Sequence, residues 1–129
     1  MKVIHGRAPD TGSVRQGETF TGDVWADPVL TDVEGVSVHN VFFLPRARTH
    51  WHRHDAGQIL CVTSGSGRVC SRDRGAVQIR AGDVVWIEPD EEHWHGADES
   101  TYLSHVAISL GGHEWLEPVT DEDYAAGAR

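Results

Sequence analysis

No stretch of this chain is apolar for anything near the ~18 residues that a membrane-spanning helix requires. The N-terminal residues Met1 to Gly6 lead into no long apolar segment, so we expect no secretory signal and a cytoplasmic protein. Positive charge is scarce: 11 Lys and Arg stand against 20 Asp and Glu, a net charge of −9 with His neutral. Nucleic-acid phosphates and anionic membranes attract a cationic face, so neither is an expected partner. There are only two cysteines, Cys61 and Cys70. They sit symmetrically about Ser64-Gly65-Ser66-Gly67, which reads as a turn that would set them opposite each other in a hairpin. Reduced thiols are expected in the cytoplasm. No low-complexity linker divides the chain, and 129 residues amount to one domain, 1–129.

A sustained helical period is also missing from the interior of the chain. Short runs of β-branched and aromatic residues replace it, cut by 14 glycines and five prolines. Val36–Leu44 reads as a strand that stops at Pro45. Gly57–Thr63 and Arg68–Ser71 read as the two arms of the hairpin about Ser64–Gly67. Ala76–Arg80, a short buried Val84–Ile87 and a long Tyr102–Leu110 follow, the last closed by Gly111-Gly112. One short helix is expected at the end, capped by Thr120 with Asp123 three positions on. The fold class is therefore all-β, a sandwich or barrel. Edge strands and the segment Gly22–Trp25 lead us to expect a homodimer.

Histidine is over-supplied. There are nine, and five fall between His50 and His54 or between His93 and His95. Alternate strand residues share a face, so His50, His52 and His54 project together, as do His93 and His95. Imidazoles from two distant strands and one amide oxygen can surround a divalent transition metal. His5 and His113 read as surface residues.

These residues resemble the cupin superfamily. Its first motif is Gly, five residues, His-x-His, three or four residues, Glu, six residues, Gly. Residues 46–65 follow it with His52-Arg53-His54, Gln58 and Gly65. The second motif, Gly, five residues, Pro-x-Gly, two residues, His, three residues, Asn, is followed by residues 82–97 with Gly82 and His93. Arg46 stands at the first glycine, Gln58 at the glutamate, Glu88 and Asp90 at Pro and Gly, and Ala97 at the Asn. Gly57-Gln58, Gly82–Trp86, His93–Ala97, His105–Ile108 and Val119–Tyr124 also look like the small single-domain bacterial cupins that include manganese-dependent hydroxynitrile lyases.

That resemblance implies a jelly-roll-like β-barrel and a metal held by His52, His54, Gln58 and His93. Mn²⁺ is the first choice, with Fe²⁺, Co²⁺, Ni²⁺ and Zn²⁺ also suited to the donors. A neutral Gln58 in place of glutamate leaves the ion close to its full charge, which favours Lewis-acid chemistry over oxygen activation. His95 and His105 are the expected acid–base residues, and His39 is a third candidate. The implied activity is cleavage of a small cyanohydrin-like substrate. An oxygen-dependent dioxygenase and a non-catalytic small-ligand or metal sensor are the competing expectations.

Overall fold

A computed structural model describes residues 1–127. The strands are β1 (Val14–Arg15), β2 (Phe20–Thr21), β3 (Val24–Val33), β4 (Val36–Phe43), β5 (Arg48–Thr49) and β6 (His52–His54). They continue as β7 (Gln58–Ser71), β8 (Gly75–Arg80), β9 (Val84–Ile87), β10 (His93–Ala97), β11 (Leu103–Leu110) and β12 (His113–Trp115). One helix, α1 (Asp121–Gly127), closes the described chain. The strands pair antiparallel in the order β1-β3-β4-β11-β7-β10-β5-β2, and the sheet curls so that apolar inner faces meet. Val24, Val41, Phe43, Leu60, Val62, Ile87 and Leu103 are buried there against Val69, Ile79 and Ala97. No helix among the described residues is long and apolar enough to cross a membrane.

The expected hairpin about Ser64–Gly67 does not form. Gln58–Ser71 is one 14-residue strand. Its first half pairs with β11 and β9, and its second half with β10 and β8. The glycines serve close approach within this strand rather than a reversal of direction. Gly65 has φ +77°, and a Cβ there would collide with the Tyr102 carbonyl. Cys61 and Cys70 therefore lie towards opposite ends of one strand, and both are free thiols. Val84–Ile87 is an edge strand, not a buried one: Val84 and Trp86 are exposed, and only Ile87 is buried.

The short helix forms where its capping residue predicts. The Asp123 amide donates to Thr120 Oγ1 at 3.0 Å, and three acidic residues occupy the first turn. Tyr124 anchors it. Its ring is fully buried, its hydroxyl donates to the Ala97 carbonyl at 2.7 Å, and the Arg48 and Arg68 guanidiniums lie 4.6 and 4.4 Å from the ring centroid. Trp51, Trp94 and Val119 complete this second cluster, so those tryptophans are core. On the outer surface Trp25 pairs with Phe42, whose ring stacks on Tyr102 at 5.2 Å, and all three are exposed.

Candidate metal centre

Strand alternation carries the histidines inward. His52 and His54 are buried on β6 while Arg53 between them reaches out to Glu114. His93 and His95 are buried on β10, and His93 pairs directly with His52. Gln58 enters from the start of β7. The turn before it needs Gly57: φ is +100°, and a Cβ would meet the Trp86 ring at 2.6 Å and the Ile87 carbonyl at 2.8 Å. His105 comes from β11, on the far side of β7.

The ring centroids of His52 and His93 are 4.2 Å apart, those of His52 and His54 5.1 Å, and those of His52 and His95 5.3 Å. Nitrogens of His52, His93 and His95 lie within 4.8 Å of one another. His52 Nδ1 donates to the His50 carbonyl at 2.9 Å, and His93 Nδ1 donates to the Glu91 carbonyl at 2.8 Å. Because a carbonyl can only accept, each Nδ1 carries the hydrogen and each Nε2 keeps its lone pair. His50 thus contributes its backbone to the site.

Burial holds the whole group neutral. It pushes His52 and His95 well below 6.5, lowers His93 and His39, and brings His54 and His105 to about 4. Neutral imidazole is the form that ligates a cation or accepts a proton.

Two observations show that these residues fit a metal. First, Gln58 Oε1 faces His93 Nε2 at 3.1 Å. With the hydrogen of His93 on Nδ1, two lone-pair donors confront each other. Two ligand atoms each ~2.1 Å from one ion at a right angle stand ~3.0 Å apart, so the pair has the spacing of neighbouring ligands. Second, both ring nitrogens of His54 are buried without a hydrogen-bond partner, as is His95 Nε2. Buried polar atoms are rarely left so, and a cation would supply the missing partner of one His54 nitrogen.

Beside the cluster lies a cavity of about 260 Å³. His52, His54, Gln58, His95 and His39 line it, with Phe20, Val41 and Ala107 among its apolar walls. His105 does not line it. That ring is fully buried behind His95, with Nε2 2.9 Å from His95 Nδ1. His113 is a surface residue, as expected, and it also lines the cavity together with Trp115. Register explains both, since β12 sets His113 opposite His54 and Trp115 opposite His52. The His113-x-Trp115 alternation just beyond Gly112 was the available signal.

A curled antiparallel barrel with inward imidazoles from β6 and β10 defines a cupin. The AraC-like ligand-binding domain family matches residues 43–118, and the chain belongs to this family. A relative from Granulicella tundricola, named (R)-mandelonitrile lyase, is 48% identical over 112 residues, covering 81% of this chain and 85% of that one. A cupin-like protein from Thermotoga maritima superposes with a TM-score of 0.84 at 41% identity, covering 98% of this chain and 97% of its own. A polyketide cyclase from Streptomyces resistomycificus shares the fold at 15% identity, with a TM-score of 0.73 and coverage of 100% and 94%.

Proposed function

We propose that this cupin is a metal-dependent lyase of the hydroxynitrile type, acting on small cyanohydrins. The observation that carries the reading is the Gln58–His93 contact beside a cavity that Gln58 and His95 line. His52, His54, Gln58 and His93 would hold a divalent ion, Mn²⁺ by preference. Bound there, it would act as a Lewis acid that makes an adjacent hydroxyl more acidic.

The protein's own groups do the rest. Phe20 and Trp115, with rings 5.5 Å apart, give the cavity an aromatic wall against which an aryl substituent packs. With Nδ1 of His95 turned to His105, Nε2 is the nitrogen left to take the substrate hydroxyl proton. The carbon–carbon bond breaks, its electron pair leaves with cyanide, and an aldehyde forms. The imidazolium returns its proton to cyanide, giving HCN. Burial makes His95 a weak base, which is why the hydroxyl must be acidified for this transfer to proceed. The 48% identical relative named (R)-mandelonitrile lyase supports this choice of reaction.

The test is elemental analysis of the purified protein, followed by cleavage of mandelonitrile with and without oxygen. Equal rates in air and under argon are expected, with loss of activity in EDTA and recovery in Mn²⁺. Turnover that requires oxygen would point to a dioxygenase. Ligand binding with no turnover would point to a sensor, a reading the ligand-binding family description favours. We also propose a homodimer, on the support of the exposed Trp25, Phe42 and Tyr102 surface. A monomeric mass by light scattering would overturn that assignment.

A further inference from the structure

A carboxamide has an orientation problem that a carboxylate lacks. Either oxygen of a glutamate can ligate a cation, whereas a glutamine must present its oxygen and turn its NH₂ away. Gln58 is 3% exposed, so water does not fix the choice. Something in the protein must hold the nitrogen end.

Ser109 is placed to do so. It sits opposite Gln58 in the β11–β7 register, and Gln58 Nε2 donates to Ser109 Oγ at 3.1 Å. The carboxamide therefore spans two named groups, its nitrogen on the Ser109 hydroxyl and its oxygen 3.1 Å from His93 Nε2. Turned over, the NH₂ would donate to the His93 lone pair and the Ser109 hydroxyl would turn to donate to Oε1. Both prospective ligand atoms would then be occupied, and the cation would have to break those hydrogen bonds to enter.

We infer that Ser109 is a positioning residue: its hydroxyl accepts from the Gln58 NH₂ and so supports the carboxamide with oxygen toward the metal position, the requirement created by a glutamine at this place in the site. The inference rests on the metal-centre reading above and adds a residue to it. It makes a specific claim about coupling: with an amide at 58 the Ser109 hydroxyl bears on which atom faces the metal, whereas a symmetric carboxylate presents oxygen either way and leaves that hydroxyl only a hydrogen bond to the other oxygen.

The experiment is a double-mutant cycle read by Mn²⁺ affinity, from electron paramagnetic resonance titration of metal-stripped protein. Ser109→Ala should weaken Mn²⁺ binding by roughly 10- to 100-fold, the usual scale for losing a group that orients a ligand. Ser109→Thr keeps the hydroxyl and should stay within about threefold of wild type. In the Gln58→Glu background, Ser109→Ala should change affinity by less than about threefold. Mn²⁺ binding by that double variant also shows that the fold accepts alanine at 109. An unchanged affinity in the single Ser109→Ala variant overturns the inference, as does an equal loss in both backgrounds. Wild-type protein that binds no Mn²⁺ overturns the metal-centre reading itself, and this inference with it.

Discussion

His105 Nε2 lies 2.9 Å from His95 Nδ1, and only His95 of the two faces the cavity. For His95 to accept a proton on Nε2, its Nδ1 must carry the hydrogen and donate it to His105. His105 thus sets the tautomer of the base without touching substrate. His105→Leu should lower kcat by about 100-fold, at the low end of general-base effects, with bound Mn²⁺ unchanged. His105→Gln, whose amide oxygen can accept the same hydrogen, should recover part of that loss. Steady-state kinetics beside metal analysis checks it, and a kcat within threefold of wild type for His105→Leu would remove His105 from the reaction.

His52 and His93 have two neighbours able to complete a three-imidazole set, His54 from the motif and His95 from proximity. Both nitrogens of His54 lack a partner, whereas on His95 only Nε2 does and Nδ1 faces His105, so we assign His54 as the ligand and His95 Nε2 to the substrate. His54→Ala should therefore yield protein nearly free of metal. His95→Ala should keep the metal and lose turnover. Metal content of the two variants decides the matter, and the reverse pattern would exchange the roles of these residues.

The alternation of β6 and β10 was legible because it is local: His52, His54, His93 and His95 share their faces by strand geometry alone. Gln58 came from its place in the resemblance to the cupin motif, and α1 from its Thr120 cap. What escaped depends on partners distant in the chain. Gly65 and Gly67 look like turn residues until the Tyr102 and Gly96 backbones that crowd them are known. The contact of Trp115 with His52 is a matter of β6–β12 register, and the depth of His105 depends on its ring meeting His95 of β10. Inward direction could be read from sequence, but which inward residue meets the cavity could not.

Acid should unfold the metal-free protein early. In the unfolded chain each imidazole titrates near ~6.5, and in the folded protein burial lowers His52, His54, His93, His95 and His105. The unfolded state therefore binds more protons in this range, so stability is full above pH ~6.5 and is lost as the pH falls toward the folded values. For His105 alone, at about 4, the loss amounts to roughly 3 kcal/mol. The carboxyls of Asp27 and Asp121, held below 3.8 by hydrogen bonds to Ser13 and Arg7 and to Arg48, give up their contribution only at lower pH. Thermal melts from pH 7.5 to 4.5 should show a steep fall. Mn²⁺ at 100 times its Kd should add about 2.7 kcal/mol at the upper end. That gain should shrink on acidification as protons compete for the same nitrogens. A melting temperature flat across this range would contradict the buried, neutral cluster.

Two departures from the cupin motifs carry backbone strain. Arg46 and Asp90 stand where the motifs have glycine, and they keep the glycine-like conformation, with φ of +72° and +61°. The turns that launch β5 and close the approach to β10 therefore persist without the residue that best suits them. Aspartate tolerates the left-handed region, while arginine has no such local compensation and costs roughly 1–2 kcal/mol there. Part of that cost is offset because glycine would loosen the unfolded chain. Arg46 also makes a 3.7 Å ion pair with Glu99, but both side chains are more than half exposed, so little is lost with it. Arg46→Gly should raise stability by about 0.5–1 kcal/mol, and Asp90→Gly should change it by less than about 0.5 kcal/mol. Chemical denaturation of the two variants measures both. Destabilisation by Arg46→Gly would mean that the guanidinium, 5.5 Å from the Tyr124 ring, contributes more to anchoring the helix than its exposed position implies.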